Sequence, residues 1–259
     1  MEHLLELFEA DWILAQKAKQ TVKSYRVYLE ELIGQSHTLR VDEVKQWLLS
    51  AQSNPVRRKK AQAVRAFGKW AEVNNFDVFQ WWRMIPIPKD PIKPQATVTQ
   101  EIYRESIKKV RTIRDRALVD VLWSTGLRRS EIARLDVSDI NFVDSFLIVR
   151  SSKTGKPRIA PLSPNARKSL ARLIGQKRFG SVFDWKSSSI RVRLSRLGLP
   201  SAHAWRRGWA VQALRQGVSE TSVKAAAGWS SGAMVARYTS ALSGELAIEE
   251  FQRSWMTDK

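Results

Sequence analysis

Along residues 1–85, apolar positions recur at the three- and four-residue spacing of amphipathic helices. Leu4, Leu7 and Phe8 share one helical face, which Trp12 extends. Similar faces run from Val22 to Leu32, from Val44 to Leu48 and from Val56 to Trp70, and a short closing helix is predicted at Trp81 and Trp82. The pattern predicts an all-helical domain in which most tryptophans are core residues.

A proline-rich segment follows this helical region. Four prolines fall within residues 86–94, and each one lacks a backbone N–H and restricts the preceding residue to extended conformations. Such a stretch cannot be the interior of a helix. We therefore predict an extended linker over residues 86–98, which joins a domain at residues 1–85 to another at residues 99–259.

The second domain has the pattern of a mostly helical fold with one pair of strands. Phe146–Val149 and Pro157–Ala160 have strand character, and the polar segment 151–156 between them predicts a hairpin tip. Helices are predicted at residues 99–110, 115–124, 165–174, 187–196, 204–216, 219–226 and 233–236, with a tail helix at 243–257. The predicted fold class is mainly α: a helical N-terminal domain and a mixed α/β domain with a small β-hairpin sheet.

The positive charge is concentrated in the second domain. Lys and Arg number 44 against 25 Asp and Glu, which gives a formal net charge of +19. Residues 1–98 carry +4 of this excess and residues 99–259 carry +15. Such an excess predicts a phosphate-binding surface, with a basic enzyme or a membrane-surface binder as the alternatives.

Several kinds of chemistry find no support in the sequence. There is no Cys for a disulfide, a thiolate zinc site or a thiol nucleophile, and the three histidines, His3, His37 and His203, are scattered. No His-Glu-x-x-His motif and no Gly-x-x-x-x-Gly-Lys phosphate loop is present. We expect no metal and no other cofactor. Without a signal peptide or an apolar run of about 18 residues, we also expect a cytoplasmic protein that does not bind membranes.

A set of cations and one late tyrosine remain as candidates for chemistry. These residues are Arg128, Lys153, His203, Arg206, Trp229 and Tyr238. Two arginines can neutralise the charge that grows on a phosphate in a transition state. A tyrosine hydroxyl can attack the phosphorus to form a covalent ester, while a lysine protonates the leaving oxygen and an imidazole or indole orients the reacting groups.

Each candidate also has a purely structural alternative. The alternatives are a helix-start ion pair with Glu131 for Arg128, an ordinary hairpin tip for Lys153, a helix cap or core position for His203, and packing for Trp229 and Tyr238. Taken singly, several of these are the commoner outcome. The occurrence of all the candidates in one order favours the catalytic interpretation.

Four segments closely resemble the conserved boxes of the tyrosine recombinases, the phage integrase family. They are Asp115–Ile132 for the first box, Ser152–Arg158 for the catalytic β-hairpin, His203–Arg207 for the His-x-Leu-Arg-His box, and Gly228–Tyr238 for the box that ends in the nucleophile. The N-terminal helices, with residues 21–25 and 57–70, resemble the SAM-like core-binding domain of the family. The resemblance covers nearly the whole chain.

The resemblance implies a role for each candidate. Arg128 and Arg206 would clamp the phosphate, Lys153 would protonate the 5′ oxygen, His203 would assist proton transfer at the nucleophile, Trp229 would hydrogen-bond the scissile phosphate, Tyr238 would form the 3′-phosphotyrosine, and Glu131 would support the first box. DNA contacts are expected from Arg57, Arg58, Lys59, Lys60, Arg129 and Arg207, with an ordinary solvated helix face as the equal alternative for the run 57–60. Trp229 stands where most members have His, and an indole donates a hydrogen bond but cannot shuttle a proton.

The activity implied by the resemblance is site-specific recombination of DNA. The enzyme would cut and rejoin a core site with inverted repeats, as a dimer on one site and a homotetramer on paired sites, and would exchange strands through a Holliday junction. The resemblance further implies a short form without an arm-binding domain, a tail docked on a neighbouring protomer and an unidentified directionality factor. The alternatives are a type IB topoisomerase, which needs no specific site, and a non-catalytic DNA-binding regulator.

Overall fold

The computed structural model describes most of the chain as two compact units. The described residues are 1–36, 39–89, 96–150, 157–229, 232, 244, 247–249, 251–252 and 255. By contacts the chain divides into Met1–Lys93 and Pro94–Lys259. Lys153 and Tyr238, the hairpin tip 151–156, the predicted helix 233–236 and most of the predicted tail lie outside the described residues.

The first unit consists of helices packed around an aromatic core. Its elements are α1 (Glu2–Leu14), α2 (Lys19–Gln35), α3 (Val41–Leu49), α4 (Asn54–Val73) and a 3-10 turn (Gln80–Met84). Phe67 of α4 is fully buried, with ring centroids 5.3 Å from Phe8, 5.5 Å from Trp70 and 5.1 Å from Phe79. All five tryptophans of this unit are buried or half-buried, as the sequence pattern predicts.

The second unit is helical around a small antiparallel sheet. Its elements are α5 (Gln100–Lys109), α6 (Ile113–Thr125), α7 (Arg129–Ile132), a 3-10 turn (Val137–Asp139), β1 (Ile140–Asn141), β2 (Phe146–Val149), β3 (Arg158–Pro161), α8 (Pro164–Ile174), α9 (Ser187–Arg196), α10 (Ala202–Arg215) and α11 (Glu220–Ala227). The strand order is β1-β2-β3, with Ile148 opposite Ile159. The predicted fold class is confirmed. The sheet has a third strand, β1, which the sequence pattern missed because two residues are too few to show an alternation of apolar and polar positions.

Helix α6 runs through the centre of the second unit and places the first candidate residues. Eight of its 13 residues are buried, and it packs against α8 and α10. The Thr112 side chain caps its start by accepting from the Asp115 backbone N–H at 3.1 Å. It ends at Gly126, whose φ of 56° is a left-handed conformation that glycine adopts without strain. The chain therefore turns sharply between α6 and the Arg128 position.

In the part of the chain that the structure describes, no helix combines the length and the apolar character needed to cross a membrane.

Two glycines of the first unit differ in the space around them, which gives a test of its packing. A Cβ at Gly68 in α4 would lie 2.3 Å from Trp82 Cβ, whereas a Cβ at Gly34 in α2 would meet nothing within 4 Å. We expect Gly68→Ala to lower the free energy of unfolding by about 1–3 kcal/mol, as overpacking does. Gly34→Ala should be neutral or slightly stabilising, because it restricts the unfolded chain.

Urea denaturation followed by circular dichroism measures both changes on the same unit. A lower urea midpoint for Gly68→Ala than for Gly34→Ala is the expected result. Equal midpoints would show that Trp82 is not held against α4.

Candidate active site

A single buried carboxylate, that of Glu131, lies at the centre of the candidate site. Its side chain is 1% exposed and accepts hydrogen bonds from the Arg128 backbone N–H at 2.7 Å, Arg128 Nη1 at 2.8 Å and Arg158 Nη2 at 2.7 Å. Arg206 Nη1 lies 4.0 Å from Glu131 Oε2. Three guanidinium groups therefore surround one carboxylate, which leaves a formal excess of two positive charges in a buried place.

Arg128 is the most open of the three arginines. It is the N-cap of α7, where its backbone N–H donates to the Glu131 carboxylate three residues further on, which is one half of a capping box. The side chain is 19% exposed, and its Nε and Nη2 have no hydrogen-bond partner among the described residues. The ion pair with Glu131 that the sequence offered as an alternative is thus present, yet it occupies only one nitrogen of the guanidinium. The remaining donors are suited to an anion.

Arg206 connects two turns of the chain. Its side chain is 2% exposed, and it donates from Nη1 to the Gly126 carbonyl at 2.7 Å and from Nη2 to the Ala227 carbonyl at 2.5 Å. Its guanidinium lies 5.2 Å from the ring centroid of Trp229, within the range of a cation–π contact. Arg206 therefore fixes the end of α6 to the end of α11.

Trp229 is a packed residue beside this arginine. It is 6% exposed and belongs to a small apolar cluster with Trp209, Val223 and Ala227. It directly follows Gly228, which ends α11 with a left-handed φ of 65°. The packing role named as its alternative is therefore present in the structure, together with the contact to Arg206.

Arg158 belongs to the cluster, although the sequence analysis assigned it no role. It is 8% exposed, donates to Glu131 and also donates from Nη1 to the Ala226 carbonyl. Burial holds its pKa below the ordinary value, against the opposing effect of Glu131. No local sequence signal could have found it, because on β3 Arg158 and Ala160 face inward while Ile159 and Pro161 are exposed, the reverse of what hydrophobicity along the strand predicts.

His203 lies in the first turn of α10, one helical turn before Arg206. It is exposed, and the helix is capped instead by Ser201, whose side chain accepts from the Ala204 N–H at 3.3 Å. The cap and core alternatives for His203 are therefore wrong. The pKa of the His203 imidazole is lowered, mainly by partial desolvation. The nearby cations lower it further; they are Arg207, Arg206, Arg129 and Arg128. A neutral imidazole at neutral pH can accept a proton.

The two remaining basic candidates of this unit make structural contacts. Arg129 donates from Nε to Ser187 Oγ at 2.9 Å, which links α7 to α9. Arg207 donates from Nε to the Ala96 carbonyl at 2.8 Å, where residues 96–98 lie across α10. Both side chains are half-buried, so part of each remains open to a ligand.

Three of the four basic residues at 57–60, at the start of α4, make hydrogen bonds or ion pairs within the first unit. Arg57 donates from Nε and Nη2 to the Leu48 and Leu49 carbonyls at the end of α3, at 3.0 and 3.2 Å. Arg58 donates to the Pro88 carbonyl at 2.6 Å. Lys59 is exposed and has no hydrogen bond or ion pair among the described residues.

The prediction that Lys60 contacts DNA is corrected by the structure, because this residue is buried. Its side chain is 7% exposed, and its ammonium lies 2.6 Å from Glu31 Oε1 and 4.4 Å from the ring centroid of Trp47. An ammonium held in this way is not presented to DNA. Lys60 follows the buried stripe of α4, since Val64 and Phe67 lie four and seven residues further on.

The structure thus brings together Arg128, Glu131, Arg206 and Trp229, with His203 within electrostatic reach. Lys153 and Tyr238 lie outside the described residues. Within the described part of the chain, no three His, Asp or Glu residues are grouped as ligands for a metal ion.

Comparison with known families agrees with this arrangement. The sequence profile of the phage integrase family matches residues 95–245, which include every candidate of the second unit. The chain belongs to this family, so the family resemblance inferred from the sequence is confirmed.

Curated relatives and solved structures fit the same family. The tyrosine recombinase XerA of Pyrococcus horikoshii is 30% identical over 162 residues, which are 62% of this chain and 56% of that protein. XerA of Saccharolobus solfataricus is 24% identical over 80% of this chain and 77% of its own. The chain thus spans about half the length of the first of these relatives. A lambda integrase dimer bound to a COC′ core site is 16% identical with a TM-score of 0.74, over 92% of this chain and 76% of its own, and shares the fold.

Removing the central carboxylate tests whether it organises the arginines. Glu131→Gln leaves three cations around a neutral amide, and losing one partner of a buried ion pair costs about 3–5 kcal/mol of unfolding free energy. Glu105→Gln is the matched control, because Glu105 is exposed and pairs only with Lys108 on the same helix. We expect a large drop in urea midpoint for Glu131→Gln and almost none for the control. Equal midpoints would contradict a central role for Glu131.

The lowered pKa of His203 can be measured directly. The chain has three histidines, so the ring C–H signals are few, and His203→Gln identifies the signal of interest. We expect His203 to titrate below the ordinary value of about 6.5. Arg207→Gln removes one repelling cation and should move the midpoint upward. A midpoint at or above the ordinary value in the unmodified protein would contradict the electrostatic description.

Proposed function

We propose that this protein is a site-specific DNA recombinase that cuts and rejoins duplex DNA through Tyr238. One observation carries the proposal: among the described residues, three arginines surround one buried carboxylate, that of Glu131, and give this cluster a formal excess of positive charge. A scissile phosphate supplies the negative charge that such a place lacks. Membership of the phage integrase family and the named tyrosine recombinases among the relatives support the same activity.

The cleavage step can be written with the candidate residues. Arg128 and Arg206 hold the non-bridging oxygens and neutralise the charge that grows during attack. The hydroxyl of Tyr238 attacks the phosphorus while His203, kept neutral by its lowered pKa, takes the proton. Lys153 gives a proton to the departing 5′ oxygen. The 3′-phosphotyrosine conserves the phosphodiester, so rejoining and Holliday-junction exchange need no nucleotide, and no metal is assigned a step.

Trp229 has a supporting place in this scheme. Its ring lies against the guanidinium of Arg206, and we assign its indole N–H to the scissile phosphate. Because an indole cannot move a proton, the proton of the nucleophile is assigned to His203 alone.

Binding to DNA is proposed to rest mainly on the second unit, where most of the charge excess lies. Arg129 keeps its charge while its Nε is bonded to the neutral hydroxyl of Ser187, so it still attracts phosphate, and the half-buried Arg207 is assigned the same role. In the first unit, Lys59 is the best-placed contact, with Arg57 and Arg58 contributing charge next to it. A protein of this kind works in the cytoplasm, on the nucleoid or on the DNA of a phage or mobile element.

Assembly is proposed to follow the number of sites: a dimer on one core site with inverted repeats and a homotetramer on paired sites. The lambda integrase neighbour is a dimer on a core site. In the tail, the side chains of Ile248, Phe251 and Trp255 are each at least 60% exposed, which supports docking on a second copy. A separate directionality factor is included in the proposal.

Formation of a covalent adduct tests the proposed activity without knowledge of the target site. The protein is incubated in EDTA with a nicked duplex library of random sequence, and complexes that survive SDS are isolated and sequenced. We expect adducts at a shared sequence from the unmodified protein and none from Tyr238→Phe. Tyr28→Phe is the matched control and should form them normally.

Each other outcome points elsewhere. Adducts from Tyr238→Phe would move the nucleophile to Tyr25, Tyr28 or Tyr103. Adducts without a shared sequence, together with relaxation of any supercoiled plasmid, would identify a type IB topoisomerase. Tight DNA binding without any adduct would identify a regulator.

A further inference from the structure

The end of α11 is held by two buried arginines rather than one. Arg206 donates to the Ala227 carbonyl, and Arg158 donates to the Ala226 carbonyl. The last carbonyls of a helix have no partner within the helix and carry partial negative charge, so cations are favourable there. Arg206 is a family clamp residue, but Arg158 has had no role in the scheme above.

The Arg158 side chain lies closely against the backbone at Gly228. Gly228 follows α11 in the left-handed region, and a Cβ there would lie 2.7 Å from Arg158 Cδ and 3.1 Å from Arg158 Nε. The Gly228 N–H donates to the Ala225 carbonyl at 3.0 Å and the Trp229 N–H to the Lys224 carbonyl at 3.1 Å. The direction in which the chain leaves α11 is therefore set where the Arg158 side chain lies against it.

Arg158 also connects this helix end to the centre of the site. Its Nη2 bonds Glu131 at 2.7 Å, while Nη1 bonds the Ala226 carbonyl, so one side chain joins α7, β3 and α11. Arg158 Nε is buried and has no hydrogen-bond partner among the described residues. An unsatisfied buried donor is unfavourable, so the two bonds of Nη1 and Nη2 must outweigh it. We therefore infer that Arg158 serves to hold Glu131 and the end of α11 in fixed relative positions.

We propose that Arg158 is a positioning residue for DNA cleavage. By bonding Glu131 and the Ala226 carbonyl together, it fixes the point from which the chain runs toward Tyr238, relative to Arg128 and Arg206. The inference rests on the proposed function, in which Tyr238 must reach a phosphate held by these arginines. Attack requires the reacting atoms to be about 3–3.5 Å apart, and a misplacement of about 1 Å can cost 100-fold in rate.

The first measurement is the rate of adduct formation on a nicked substrate of the identified site. Arg158→Met keeps much of the volume and loses both hydrogen bonds, so we expect cleavage to slow by about 100-fold with DNA affinity changed by less than about threefold. Arg158→Lys, which can reach one acceptor, should recover part of the rate. Lys108→Met is the control: it also removes a cation, but it breaks an exposed ion pair, with Glu105, and should cleave at the normal rate.

A substrate with sulfur in place of the bridging 5′ oxygen separates positioning from proton donation. When the tyrosine oxygen bonds the phosphorus, the P–S bond breaks and its electron pair leaves on sulfur as a stable thiolate, so no proton is needed from Lys153. Lys153→Ala should therefore be rescued by sulfur, whereas Arg158→Met should not. Normal cleavage by Arg158→Met, or rescue equal to that of Lys153→Ala, would overturn the proposal.

Amide hydrogen exchange provides a readout that does not depend on catalysis. In Arg158→Met the amides of Gly228 and Trp229 should exchange at least about tenfold faster than in Lys108→Met, because the end of α11 opens more readily. Unchanged exchange in Arg158→Met would overturn the inference about Arg158. Absence of any adduct from the unmodified protein would count against the proposed function instead, and the exchange measurement would still test the role of Arg158. Should Arg158→Met fail to fold, Gly228→Ala displaces the same side chain from the opposite side and is expected to give the same loss of cleavage without sulfur rescue.

Discussion

The sharing of one carboxylate among three arginines is the interaction on which the site depends. Without Glu131, the cations around it would repel one another in a place that little water reaches. A second acid would neutralise the charge that a phosphate needs. Among the described residues, this one carboxylate lies between three guanidinium groups, so it holds the arginines in place while the cluster keeps a formal excess of positive charge for the proposed chemistry.

This cluster closes only when distant parts of the second unit have packed together. Its arginines come from the start of α7, from β3 and from α10, and Arg206 reaches the turns after both α6 and α11. The buried helix α6 fixes where the first of these turns lies. The geometry of the site is thus a property of the tertiary core, and small changes in that core alter the distances between charges.

How much could be predicted from the sequence depended on the range of each interaction. The pair Arg128 and Glu131 is three residues apart on one helix start, so local rules predict it. Arg158 meets Glu131 across 27 positions, and no local pattern records that distance. Lys60 was misread because a run of four cations looks exposed, although its spacing to Val64 and Phe67 places it on the buried stripe. Two-residue β1 offered no periodicity at all.

The hydrogen-bond partners of the basic residues determine how much of their charge is neutralised within the protein. Arg57, Arg58, Arg206 and Arg207 donate to backbone carbonyls. A carbonyl satisfies a guanidinium geometrically but leaves its full charge, whereas a carboxylate cancels it. Arg57, whose guanidinium bonds the Leu48 and Leu49 carbonyls, therefore contributes its charge to the long-range field that the proposed DNA partner would meet, while its position is fixed by the fold. Salt dependence counts only the phosphates that are directly neutralised, so its slope should be well below the number of cations in the chain.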